Sequence, residues 1–64
     1  MSKWFENTSM VGKLWFNGKL SWDTKEKIND YLWDHKEDKN VMDEIHDKLT
    51  YMLNNLDRVH AINF

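Results

Sequence analysis

Lys13-Leu14-Trp15-Phe16-Asn17-Gly18-Lys19-Leu20-Ser21-Trp22 is the stretch on which the fold turns. Asn-Gly is the favoured pair for the two positive-φ positions of a type I′ turn, and apolar and aromatic residues flank it on both sides. The pattern predicts a two-residue β-hairpin over about residues 13–22. In that register Trp15 faces Leu20 and Lys13 faces Trp22. Trp15, Leu20 and Trp22 then share one side, and Leu14 and Phe16 the other. Bulk on both sides calls for cover on both. A lone hairpin is marginal in water, so Lys3-Trp4-Phe5 is expected as a third strand or as a segment lying across the sheet.

Two helices follow in the sequence pattern. Asp23, with Glu26 three residues on, resembles a capping box with Asp in the Ser/Thr position, which predicts a helix over about residues 24–36. At the angular step of a helix, Thr24, Ile28, Tyr31, Leu32 and His35 form its stripe. Lys36-Glu37-Asp38-Lys39 reads as a polar connector. Asn40 reads as the N-cap of a helix over about residues 41–58, with Asp43 and Glu44 complementing its N-terminal dipole. Met42, Ile45, Leu49, Met52, Leu56 and Val59 recur there at alternating intervals of three and four. The expected fold is therefore α+β, an N-terminal antiparallel β-hairpin packed against two α-helices in one domain over 1–64.

The three-four spacing also suits a coiled coil, with Met42, Leu49 and Leu56 at a positions and Ile45, Met52 and Val59 at d. The flanking e and g positions are His46, Leu53 and His60, and Val41, Lys48 and Asn55. They lack the charged ladder that sets pairing and instead widen the stripe, as in a core-facing helix of a globular domain. A monomer is favoured over a structural homodimer built on this helix.

Sixty-four residues bury only about 60% of the surface that the unfolded chain exposes, so the core must be dense. Four Trp, three Phe and two Tyr are expected to fill it. With no Cys, disulfides and thiolate zinc are excluded as staples. The net charge of −2 argues against electrostatic capture of nucleic acid or of an anionic membrane. From Trp22 to Lys48 nine acidic residues face five lysines, whereas residues 1–21 carry three lysines and one glutamate. No apolar run approaches the ~20 residues of a membrane span, and the N-terminus lacks a signal-peptide core, so a cytoplasmic protein without a membrane partner is expected. Asn7-Thr8-Ser9 matches the glycosylation sequon, which has no role without a secretory route.

Catalytic chemistry finds little support. His35, His46 and His60 are not spaced at i, i+3 or i, i+4, so no metal is expected. Ser2, Ser9 and Ser21 have no base placed near them by any motif. The carboxylate pairs Asp43/Asp47 and Glu37/Asp38 fall on predicted solvent faces rather than in a cleft suited to acid–base work. Gly12 stands alone and Gly18 belongs to the turn, so neither forms a phosphate loop. The expectation is no enzyme and no cofactor.

Two aromatic residues stand off their stripes. Trp33 points about 140° from Ile28 on the first predicted helix at a helical angular step. Tyr51 lies among Glu44, Asp47 and Arg58 on the second. Exposed Trp and Tyr dominate interface hot spots. Trp33, Tyr51, Glu44, Asp47 and Glu37 are therefore the candidate partner-binding residues, and their acidic surroundings favour a basic patch on a larger protein. The reading is a small acidic protein-binding module. Eight Lys to one Arg and seven Asn fit an AT-rich genome, the composition of phage or mobile-element accessory inhibitors. The alternative is single-stranded nucleic-acid binding, with Lys13, Trp15, Phe16, Lys19 and Trp22 on the hairpin stacking bases and touching phosphates. The few cations and the adjacent acidic helices weigh against it.

Overall fold

In a computed structural model, which describes residues 2–58, the chain forms three helices, α1 Ser2–Phe16, α2 Trp22–Asp34 and α3 Lys39–Asn54. No strand occurs among the described residues. The α+β expectation, with its β-hairpin over 13–22 and third strand at Lys3-Trp4-Phe5, is therefore overturned: Lys3 to Phe16 are helical.

The physical reason lies in Gly18. Its φ of 75° is the left-handed conformation that an Asn-Gly hairpin needs, but here it ends a helix. The Gly18 N–H donates to the Trp15 carbonyl at 3.0 Å and the Lys19 N–H to the Leu14 carbonyl at 2.9 Å, the paired bonds of a Schellman stop. The Lys13 carbonyl accepts twice from Asn17, from its backbone N–H at 3.0 Å and from Nδ2 at 2.8 Å, which fixes the last turn. A hairpin turn and a helix stop ask the same residue for the same φ. The residues upstream decide between them, and Trp4, Asn7, Val11 and Leu14 recur at intervals of three, four and three. A polar residue inside that stripe and Gly12 between its turns disguise the period.

The other boundaries also move. Ser21, not Asp23, caps α2: its Oγ accepts from the Thr24 N–H at 3.2 Å, which leaves Asp23 in the first turn beside the positive end of the dipole. Asp38, not Asn40, caps α3 by accepting from the Val41 N–H at 3.2 Å. At the far end α3 stops at Asn54 rather than near Arg58. There Asn55 Nδ2 donates to the Tyr51 carbonyl at 2.8 Å, an acceptor that a continuing helix would leave to backbone. Val59 and His60 lie outside the described residues.

α1 runs antiparallel to α2, because Trp4 meets Trp33 and Trp15 meets Trp22. It runs parallel to α3, because Lys3 pairs with Asp43 and Thr50 Oγ1 donates to Met10 Sδ. Both partners pack on α1, while α2 and α3 meet only marginally. The core is aliphatic: Val11, Leu14, Leu20, Ile28, Leu32, Met42 and Leu49. None of its buried residues is aromatic, which corrects the expectation that the tryptophans fill it. Each buried aliphatic of this kind stabilises by roughly 1.5–3 kcal/mol. Met42 and Leu49, the a positions of the zipper reading, are buried within the chain, and Ile45, Met52 and Leu56 pack against them.

One polar residue enters that core. Asn7 is fully buried, and its Nδ2 donates to the Met42 carbonyl at 3.2 Å, tying α1 to α3. Its Oδ1 has no partner among the described residues. Buried there, it is no glycan acceptor.

Three stability outcomes follow from this geometry. A Cβ added at Gly12 would meet nothing within 4 Å, so Gly12→Ala raises stability by about 0.5–1 kcal/mol, a melting-temperature rise of several degrees. Gly18→Ala lowers stability by about 1–2 kcal/mol, since a Cβ disfavours its positive φ. Asn7→Asp costs more than about 2 kcal/mol at neutral pH, because a buried carboxylate loses the donor that binds the Met42 carbonyl, whereas Asn7→Leu is close to neutral. Urea titration followed by circular dichroism measures all three. A stable Asn7→Asp would show that this side chain is not buried.

Candidate functional site

The tryptophans collect along the seam between α1 and α2. Trp4 and Trp15 are eleven residues apart, as are Trp22 and Trp33. Eleven residues are close to three whole turns, so each pair falls on one flank of its helix. Because the helices are antiparallel, the pairs meet end to end. Trp4 and Trp33 lie edge to face with ring centres 5.5 Å apart, and Trp15 and Trp22 do the same at 5.4 Å. Phe5 adds an edge-to-face contact with Trp4 at 6.2 Å, and Phe16, 86% exposed, extends the surface beyond Trp15.

Two lysines, Lys25 in α2 and Lys36 just after it, complete the face. Lys36 Nζ stands 3.2 Å from the Trp33 ring centre, and Lys25 Nζ stands 4.0 Å from that of Trp22 and 5.1 Å from that of Trp15. These cation–π contacts restrain rings that remain largely open: Trp33 is 54% exposed and Trp22 53%. Between the two ring clusters Asn29 is half-buried. Its Oδ1 and the Trp4 Nε1 are buried without partners among the described residues, so ring packing rather than hydrogen bonding holds the seam.

The candidate residues divide between surfaces. Trp33 joins the seam, and Glu37 is exposed in the connector that follows α2. Tyr51, 66% exposed, lies on α3 with exposed Glu44 and Asp47 on the preceding two turns. The sequence-derived set is thus split between helices that scarcely touch. The hairpin of the nucleic-acid reading does not form, but Trp15 and Trp22 meet all the same. Phe16 and Lys13 are exposed near them, and Lys19 is partly covered. Trp4, Phe5, Lys25 and Lys36 belong to the site although the sequence pattern does not single them out. The eleven-residue spacing on either side of Asn17-Gly18 is the signal that reveals the tryptophan pairs.

Five of the groups considered for catalysis make structural contacts. Ser21 and Asp38 cap helices, and Asp43 pairs with Lys3 at 3.4 Å. His46 Nε2 lies 3.8 Å from Glu6 Oε2, and the His35 ring stacks on Tyr31 at 4.2 Å. No group of three metal-ligating side chains occurs among the described residues. No known protein family, curated protein or solved structure matches the chain. No helix among the described residues is long and apolar enough to cross a membrane.

Because Trp15, Trp22 and Trp33 are exposed and Trp4 alone packs half-buried against the core, most of the native fluorescence is expected to be quenched efficiently by acrylamide and to shift little on unfolding in urea. A strongly blue-shifted, protected emission would place at least one indole in the interior.

Proposed function

We propose that the chain is a small acidic protein-binding module that presents the α1/α2 seam to a larger partner protein and acts by occupying that partner's surface. One observation carries the reading: among the described residues no aromatic side chain is fully buried in the core, while Trp4, Phe5 and Trp33, and Trp15 and Trp22, form two ring clusters along one seam. Exposing so much aromatic surface is unfavourable unless something covers it. Tryptophans held by neighbouring rings and lysines lose little entropy on binding, which suits them to be anchors. The exposed carboxylates Glu26 and Asp30 follow the Trp22–Trp33 flank by helical position, Glu37 is exposed in the connector just beyond it, and together they favour a basic patch on the partner. Cytoplasmic action as an accessory inhibitor of a phage or mobile element agrees with the size and composition. The reading assigns no catalysis and no cofactor.

Single-stranded nucleic acid is the second reading, favoured by the meeting of Trp15 and Trp22 beside Lys25. Base stacking needs free ring faces, however. Lys25 stands over both rings and each indole already packs against the other, so the pair suits protein side chains better.

The test is an affinity pull-down with the tagged chain and three variants, Trp22→Ala, Trp33→Ala and Tyr51→Ala, each checked for native circular dichroism. A stoichiometric protein is expected whose affinity falls by about thirtyfold or more with Trp33→Ala, the loss of one hot spot, and stays within a few-fold with Tyr51→Ala. Binding that survives both tryptophan changes rejects the seam. Capture of nuclease-sensitive material that weakens with salt replaces the protein partner with nucleic acid.

A further inference from the structure

A second surface lies away from the seam, where α2 and α3 diverge. It is an open groove of about 500 Å³ whose apolar lining comes from Ile28 and Tyr31 on α2 and from Val41 and Ile45 on α3. Lys27, Lys48 and Glu44 line it as well, and none of the three has an ion-pair partner among the described residues. We propose that this groove is the interface of a two-fold symmetric homodimer, in which each copy covers the groove of the other.

The arrangement of charge selects a second copy as the occupant. α2 and α3 are antiparallel, so Lys27, early in α2, and Lys48, in the second half of α3, lie towards the same end of the groove. Glu44 is one turn nearer the other end. With the two-fold axis running across the groove the copy is turned end for end, which brings the two lysines of each chain to the glutamate of its mate, whereas an axis along the groove would set lysine against lysine. Charges left unanswered within one chain are thereby answered twice in the pair. Each exposed pair contributes little energy, so the charges set register and orientation. Burial of the apolar lining supplies the affinity. Tyr31, 46% exposed and near the middle of the groove, is its protruding apolar group. Stacking on His35 at 4.2 Å stiffens it, as befits an anchor. The contact differs from a zipper along the α3 stripe, whose Met42 and Leu49 are already buried inside the chain. A dimer built this way carries two copies of the α1/α2 seam, and it does not depend on what that seam binds.

Sedimentation equilibrium across micromolar to about 1 mM protein tests the interface. The wild-type chain is expected to pass from monomer to dimer within that range. Lys27→Glu combined with Lys48→Glu, and Glu44→Lys alone, each place like charges across the two-fold axis and are expected to weaken self-association by about tenfold or more. Mixed in equal amounts, the two variants restore a dimer, because each lysine then meets a glutamate at both ends. Tyr31→Ala weakens the dimer without charge reversal, and Trp22→Ala with Trp33→Ala leaves it unchanged. A monomer at every concentration overturns the proposal and leaves the groove to another occupant. A dimer indifferent to charge reversal overturns it too, and one lost with the tryptophans places self-association on the seam.

Discussion

Everything in this fold depends on α1 serving two neighbours with one narrow stripe. Val11 and Leu14 are fully buried, and the same helix face that meets Ile28 and Leu32 of α2 also meets Met42 and Leu49 of α3. A stripe shared in this way holds α2 and α3 apart instead of letting them close on each other. Helix axes pack about 8–10 Å apart when modest side chains lie between them. Aliphatic residues meet that limit at the centre, whereas indoles there would force the axes apart. The tryptophans accordingly occupy the flanks, where they pack on each other and still lean into solvent.

The polar residue in this stripe gives α1 its register against α3. Asn7 donates to the Met42 carbonyl, a bond that one step of sliding would break. The cost is an Oδ1 buried without a partner among the described residues, of order 1–3 kcal/mol. The outer links along the same pair of helices, Lys3 with Asp43 and Thr50 with Met10, agree with that register.

The candidate site is partly visible in the residues. Trp33 stands off the stripe of α2 by angle alone, and that inference needs only the helical period. Its neighbour Trp4 is hidden, because assigning Lys3-Trp4-Phe5 to a strand removes it from any helical wheel. Tyr51 groups with Trp33 by residue type and acidic surroundings, which say nothing about distance between helices. Lys25 and Lys36 look like solvated charges until the rings beneath them are in place.

The sequence by itself determined the existence of α2 and α3, the apolar stripe of α3, the polar connector between them and the positive φ at Gly18, since each follows from local period and backbone sterics. It also ruled out disulfides and thiolate metal sites by composition. Only the tertiary structure decided whether Gly18 closes a hairpin or ends a helix, because both turns ask Gly18 for the same dihedral angle and differ at Asn17, whose φ is not positive, and in what the preceding fifteen residues pack against. Only the tertiary structure, likewise, put the aromatic residues outside. Local pattern reports that a side chain is apolar, but whether it is buried depends on how much room the neighbouring helices leave, and α1, gripped from both sides, leaves room for leucine and not for tryptophan.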